Sequence, residues 1–338
     1  MPILSLCPDT TDSSTSYCPV LTLPTEIVVE IFIHFLPVYP RCPPLGGLKS
    51  PTILTQICRD WREIALATCR LWRAMSVETH WIVFPREVAR MRIWLQRSHP
   101  LPASLRCGPP IAFPSRFFAA IAPYRQRWAY LDLRLRDDTQ LAALCDGPTP
   151  LLKRLDLSLD SQIAGIDPVV VFSDAPLLHT VLLDFPAAML TLPWAQLTSL
   201  TLKLVDAPEN LSILKLASNL RYHHLVLEQM MFWSLQGPDI LIPRLKSLKL
   251  CAKLDRPLGA TFILPALRHL AVVEYLNPEP IAALADFIAS AGCAQLDELS
   301  VTVPDFALIS EDAYLAYHKA FPGVLVSVAK LNERKRYS

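Results

Sequence analysis

Leu152-Lys153-Arg154-Leu155-Asp156-Leu157 sets an apolar residue, two others, an apolar residue, one other and a final apolar residue in a row. Its second half alternates with the period of a β-strand, which predicts Leu155 and Leu157 on the core side and Arg154, Asp156 and Ser158 on the open side. The phrase returns at Trp72/Met75/Val77, Trp128/Leu131/Leu133, Leu178/Val181/Leu183 and Leu197/Leu200/Leu202. It continues at Tyr222/Leu225/Leu227, Leu245/Leu248/Leu250, Leu267/Leu270/Val272 and Leu296/Leu299/Val301, with a weaker copy at Leu105-x-Cys107. Consecutive anchors from Trp128 onward lie 24, 26, 19, 25, 23, 22 and 29 residues apart.

Periods in the twenties with this phrase are the mark of leucine-rich repeats, in which each unit supplies a strand and a return segment. The predicted fold class is therefore α/β: a small helical N-terminal module followed by an irregular solenoid of strand plus helix or loop units. Pro150, Pro176, Pro243 and Pro265 stand two residues before their anchors, where proline is expected to hold the chain extended as each strand begins. The longer returns read as helices at Arg86 to Arg97, Pro208 to Ala217 and Pro280 to Ala291, the last with Ile281, Leu284, Ala285 and Ile288 on one face. No copy carries a clear asparagine after its strand, so the repeat is irregular. Glu311 to Ser338 reads as a terminal helix and strand with a polar tail, the cap a solenoid end needs. The central outward column is expected to be Asp132, Asp156, Leu182, Thr201, Val226, Lys249, Ala271 and Ser300.

Upstream of the repeats lies a different pattern, from residue 21 to residue 78. Thr22 is expected to cap a helix with Pro24 in its first turn and Glu26 near its positive end. Ile27, Ile31 and Phe35 form one apolar row, Val28, Phe32 and Leu36 the next, and Pro37 stops the helix. A second helix is expected from Ser50 (cap) and Pro51, with Ile53, Ile57, Trp61 and Ile64 or Ala65 on one face. So small a unit has more apolar surface than it can bury, so it is fused to the next domain or keeps a face for a partner.

Leu23-Pro24-Thr25-Glu26-Ile27, Ile31-Phe32, Cys58-Arg59-Asp60-Trp61-Arg62-Glu63-Ile64-Ala65 and Leu71-Trp72 resemble, in order and spacing, the F-box. The insert Tyr39-Pro40-Arg41-Cys42-Pro43-Pro44-Leu45 resembles the form found in the expanded F-box families of basidiomycete fungi. The resemblance implies docking on a Skp-type adaptor of cullin-RING ubiquitin ligases through Leu23, Pro24, Ile27, Ile31, Phe32, Leu36, Ile57, Trp61, Ile64, Leu71 and Trp72. Residues 79–338 would then recognise a protein target, for which Asp132, Arg134, Arg154 and Asp156 are the candidates. The implied role is substrate receptor, a monomer within a hetero-complex in the cytoplasm or nucleus. The alternative is a scaffold that binds the adaptor without ubiquitin transfer.

Composition narrows the classes further. Lys+Arg of 32 against Asp+Glu of 31 gives +1, which argues against nucleic acid as the partner. No run of eighteen uncharged apolar residues is present, so no membrane span is expected. Residues 1–20 have no basic start and read as a disordered leader. Nine cysteines without a C-x-x-C pair fit buried thiols, with Cys58 and Cys69 on apolar faces. No G-x-S-x-G, Walker A or G-x-G-x-x-G motif occurs, and His223-His224 in a strand would point to opposite faces, His224 outward. The expectation is a non-enzyme with no cofactor and no metal. Arg334-Lys335-Arg336 reads as a solvated tail.

Overall fold

The alternating half of each repeated phrase forms a strand, and the strands line up in chain order. The structure, a computed structural model, describes residues 22–77, 85–108, 115–135, 138–159, 170–172, 174–203, 207–226, 240–251, 262–273, 280–303 and 311–330. The expected leader (residues 1–20) and polar tail (residues 332–338) lie outside these.

The first strands are β1 (Ala74–Val77), β2 (Ala103–Cys107), β3 (Trp128–Leu135), β4 (Arg154–Leu159), β5 (Val170–Val171), β6 (Thr180–Asp184), β7 (Leu190–Thr191) and β8 (Ser199–Lys203). They continue as β9 (Tyr222–Val226), β10 (Ile240–Leu241), β11 (Ser247–Cys251), β12 (Phe262–Ile263), β13 (His269–Val273), β14 (Glu298–Val303) and β15 (Leu325–Lys330). Eleven of them make one parallel sheet in the order β1-β2-β3-β4-β6-β8-β9-β11-β13-β14-β15. The protein is thus mixed α/β, built on a large parallel sheet. The pairs β5-β7 and β10-β12 form two short parallel ladders of their own.

Parallel sheets are usually covered on both faces. Here β6 and β8 bury Val181, Leu183, Leu200 and Leu202 while Thr180, Leu182, Thr201 and Lys203 stay partly exposed, so one face is open. The other packs on the returns. These hold the helices α3 (Pro85–Arg97), α4 (Ser115–Ile121), α5 (Asp138–Cys145), α6 (Ala207–Leu216), α7 (Pro280–Ser290) and α8 (Glu311–Ala320). On α7 the covered side is Leu284 and Phe287 with Ile281 and Ile288; Ala285, expected there, is exposed because the stripe turns toward Phe287. Gly292 then ends the helix at φ +66, a left-handed position glycine adopts without a Cβ clash.

The prolines before the anchors do something other than extend the chain. Leu152, Leu178, Leu245 and Leu267 each donate a backbone N–H to the carbonyl three residues back, on Thr149, Ala175, Ile242 and Leu264. Each proline therefore occupies the second position of a β-turn, where its fixed φ is already correct. Leu197 and Leu220 close the same turn without proline. Strands β4, β6, β8, β9, β11 and β13 so begin from a common corner.

The strand register also moves one repeat. Leu200 and Leu248 both align with His223, and Leu202 and Leu250 with Leu225. The anchor is Leu220, fully buried, whereas Tyr222 is 53% exposed. Tyr222/Leu225/Leu227 was two residues out of phase because a histidine fills the core position. The outward column accordingly holds His224, not Val226, opposite Thr201 and Lys249.

At the N-terminal end, α1 (Thr25–Phe35) begins after Pro24, whose carbonyl accepts from Ile27 and Val28 N–H. Thr22 does not supply the cap: the helix starts three residues later. Ser50 does cap, its Oγ accepting from Thr52 N–H at 3.2 Å, but the segment it opens is a 3-10 helix, Pro51–Gln56. The chain breaks at Ile57 and restarts as α2 (Arg59–Ala67), with Cys58 at the N-cap accepting from Trp61 N–H. The single second helix is two pieces, and Cys58 is a cap and not a buried face residue.

The Pro-rich insert joins this module to the sheet. Ser76 N–H donates to Pro43 O at 2.7 Å and Leu45 N–H to Ser76 O at 3.2 Å, pairing the insert with the edge of β1. Ser104 Oγ donates to Pro40 O at 2.8 Å and contacts Cys42 Sγ at 3.1 Å. Tyr39 stands edge-on to Tyr130 at 5.5 Å, with the Arg73 guanidinium 3.9 Å above its ring. The outward side chains Ser76 and Ser104 are consequently buried, and one apolar core runs from Val28 to Val326.

Candidate functional site

Two surfaces gather the residues singled out in the sequence. On the first, α1 presents two apolar rows to different surroundings. Val28 and Phe32 are buried, and Phe32 meets Trp61 edge-on at 4.8 Å. Leu23, Ile27, Ile31 and Phe35 are 38%, 49%, 43% and 44% exposed. Pro24 is exposed beside them, and Ile57 is exposed at the break between the two helical pieces. Leu36, Trp61 and Ile64 are half-buried against the core.

Phe32, Leu71 and Trp72 belong to the core instead. They are 0%, 1% and 0% exposed, and Trp72 Nε1 donates to Ala65 O at 2.9 Å while its ring meets Trp94 at 5.2 Å. Expected as contact residues, they are support: a side chain with no accessible surface cannot meet a partner. Phe35 belongs to the exposed row and was legible as such from its i+4 spacing after Ile31.

Arg70 and Glu30, 3.0 Å apart, tie the turn before Leu71 to the outer side of α1. Both are half-exposed, so the pair adds orientation more than stability. Behind it a cavity of about 410 Å³ opens between Glu30, Ile33, Tyr39, Arg70, Arg73 and Leu71. Burial pushes the Tyr39 hydroxyl up to about 12, so it stays protonated there.

The second surface is the open strand face. Asp132 and Asp156 are paired across β3 and β4, while Arg154 aligns with Tyr130 and Arg134 with Ser158. Arg154 turns to Asp156 through Nη2 at 2.7 Å and Nε at 3.0 Å, a two-pronged contact within one strand. Arg106, not named from the sequence, reaches Asp132 at 3.2 Å from β2. Partial burial and the adjacent Asp156 raise the Asp132 carboxyl above the usual range, against the pull of Arg106 and Arg154. Three of the four candidate target residues, Asp132, Arg154 and Asp156, are thus largely occupied with one another and with Arg106. Further along, burial and the neighbouring Lys249, His223 and Lys203 lower His224 to about 4.

Among the described residues there is no group of three or more His, Cys, Asp or Glu arranged to hold a metal ion. His223 is buried in the strand, and the thiols of Cys42, Cys58, Cys69, Cys107, Cys145 and Cys293 are unpaired. No helix among the described residues is long and apolar enough to cross a membrane. No family model matches the chain, and no curated protein matches it either.

Proposed function

We propose that the chain is the substrate-recognition subunit of a Skp-cullin-F-box type ubiquitin ligase, its helical module an F-box and its strand-and-return units an irregular leucine-rich-repeat solenoid. The observation that carries the reading is the exposed apolar row Leu23, Ile27, Ile31 and Phe35 on a helix whose adjacent row buries Val28 and Phe32. Isolated exposed apolar residues are ordinary, but a continuous row on one helix is a contact surface. Supporting it are the motif order at residues 23–72 and eleven parallel strands that follow chain order and leave one face open. The ligase chemistry would reside in the other subunits, and the localisation that follows is cytoplasm or nucleus.

Ile31→Asp tests this. The side chain is already 43% exposed in the free chain, so the substitution should leave folding unchanged. In a desolvated contact the new carboxylate would lack a partner and cost on the order of 3–5 kcal/mol of binding. The readout is titration of a recombinant Skp-type adaptor into wild type and variant, with melting curves for both. Equal affinity for the adaptor overturns the proposal. Reconstitution with cullin and RING subunits then separates a receptor from a scaffold, since only the receptor directs ubiquitin onto a co-purifying protein.

A further inference from the structure

The sheet carries a row of basic residues where its strands begin. Lys153, His179, Arg221, Lys246 and Arg268 each follow their anchor leucine by one position, and all five are exposed. Among the described residues the side chains of Lys153, Arg221 and Lys246 have no hydrogen-bond or ion-pair partner, while His179 meets Thr180 Oγ1 at 3.0 Å and Arg268 meets Asp297 at 3.6 Å. The carbonyls of Lys153, His179, Arg221, Lys246 and Arg268 each accept two N–H groups from the next repeat. Any residue could supply that carbonyl.

The row is also one-signed. Positions 150–154, 176–180, 195–199, 218–222, 243–247 and 265–269 hold six Lys or Arg and no Asp or Glu, in a chain with 31 acidic residues. Charge complementarity of this kind steers partners more than it adds affinity. With strands about 4.8 Å apart, the row from β4 to β13 spans roughly 24 Å, the length of about seven extended residues. It stops at Asp297 and Glu298, which pair with Arg268 and His269. Leu177 and Tyr222, 45% and 53% exposed, stand among the basic residues.

We propose that this rim binds an acidic polypeptide segment carrying apolar residues among its carboxylates. A polypeptide suits it better than nucleic acid, because the row is short, bounded by acids, and interrupted by an exposed leucine and tyrosine. The inference does not depend on the ligase reading, since the rim and the exposed row of α1 are different surfaces. Loss of adaptor binding and loss of peptide binding are separate results.

The test is fluorescence anisotropy of the full chain with a labelled poly-glutamate peptide of about ten residues. A second peptide replaces every third glutamate by phenylalanine, and a single-stranded DNA of equal charge is the comparison. The triple variant Lys153→Glu, Arg221→Glu, Lys246→Glu reverses the rim. Arg92→Glu, Lys215→Glu, Lys319→Glu makes the same change in net charge on exposed positions of the return helices. The expected result is salt-sensitive peptide binding, tighter for the phenylalanine peptide, weakened about tenfold or more by the rim triple and within about twofold of wild type for the helical triple. Equal losses in the two triples, no binding by wild type at low salt, or tighter binding of the DNA would each overturn it. Should circular dichroism show the rim triple unfolded, the glutamine versions of the same three positions decide by the same comparison.

Discussion

His223 offers a quantitative check on the strand register, because it occupies a place the other strands of the sheet give to leucine, valine or methionine. It is 4% exposed, aligned between Leu200 and Leu248, and its Nδ1–H donates to Leu200 O at 3.2 Å. Nε2 is buried without a partner. Burial lowers the imidazole to about 4 from the ordinary 6.5. The folded chain thus holds this histidine neutral, whereas the unfolded chain takes up a proton below 6.5. The unfolded state binds more protons between those values, so stability rises with pH across the window and is lost as pH falls from 6.5 toward 4. The full difference is about 3 kcal/mol, of which about 2 kcal/mol falls between pH 7 and pH 5.

His223→Leu removes that dependence and the unpaired Nε2 while nearly keeping the volume. The variant should match or exceed wild type at pH 7 and gain on it by about 2 kcal/mol at pH 5. Urea unfolding followed by tryptophan fluorescence, at half-unit steps from pH 7.5 to pH 5, measures the gap. Other titrating groups, His224 included, act in both proteins and largely cancel in the difference. Parallel stability curves would refute the reasoning, because they would show that His223 is not held buried between Leu200 and Leu248 in the folded chain.

Other substitutions probe other parts of the fold. Leu155→Ala should destabilise by roughly 2–5 kcal/mol and Ser158→Ala should be near neutral, and equal melting shifts would show the strand faces reversed. Pro265→Ala, at an exposed second turn position, should cost only about 0.4–1 kcal/mol in denaturant unfolding; a larger loss would mean that the turn is not the proline's role. Tyr39→Ala removes the ring that meets Tyr130 and Arg73, and should raise amide exchange in β1 and β2 while leaving β13 and β14 unchanged. Unaltered exchange at β1 would show that the insert does not hold the module to the sheet.

The sequence by itself determined the parts that repeat at short range. Alternation in Leu155-Asp156-Leu157 and its copies specifies strands whose buried and open faces follow from side-chain direction, and copies in chain order at similar spacing line up as one parallel sheet. The two rows of α1 were equally legible from their i+4 spacing. Periodicity says that Val28 and Ile27 lie on adjacent stripes. It cannot say which stripe is packed, because that depends on where Trp61 arrives from thirty residues away. The same limit explains Leu71 and Trp72, read as contact residues and found in the core against Trp94. It also explains the break at Ile57, where a cysteine cap competes with a continuous helical pattern.

Tertiary structure alone decided the phase at His223, since a polar residue at a core position is invisible to an apolar pattern until Leu200 and Leu248 stand on either side of it. The insert shows the same reason most plainly. Tyr39-Pro40-Arg41-Cys42-Pro43-Pro44-Leu45 has no periodicity to read, and its partners Ser76, Ser104 and Tyr130 are distant in sequence. Its place over the edge of β1 and the face of β2 is fixed by hydrogen bonds and ring contacts that exist only once the sheet has formed.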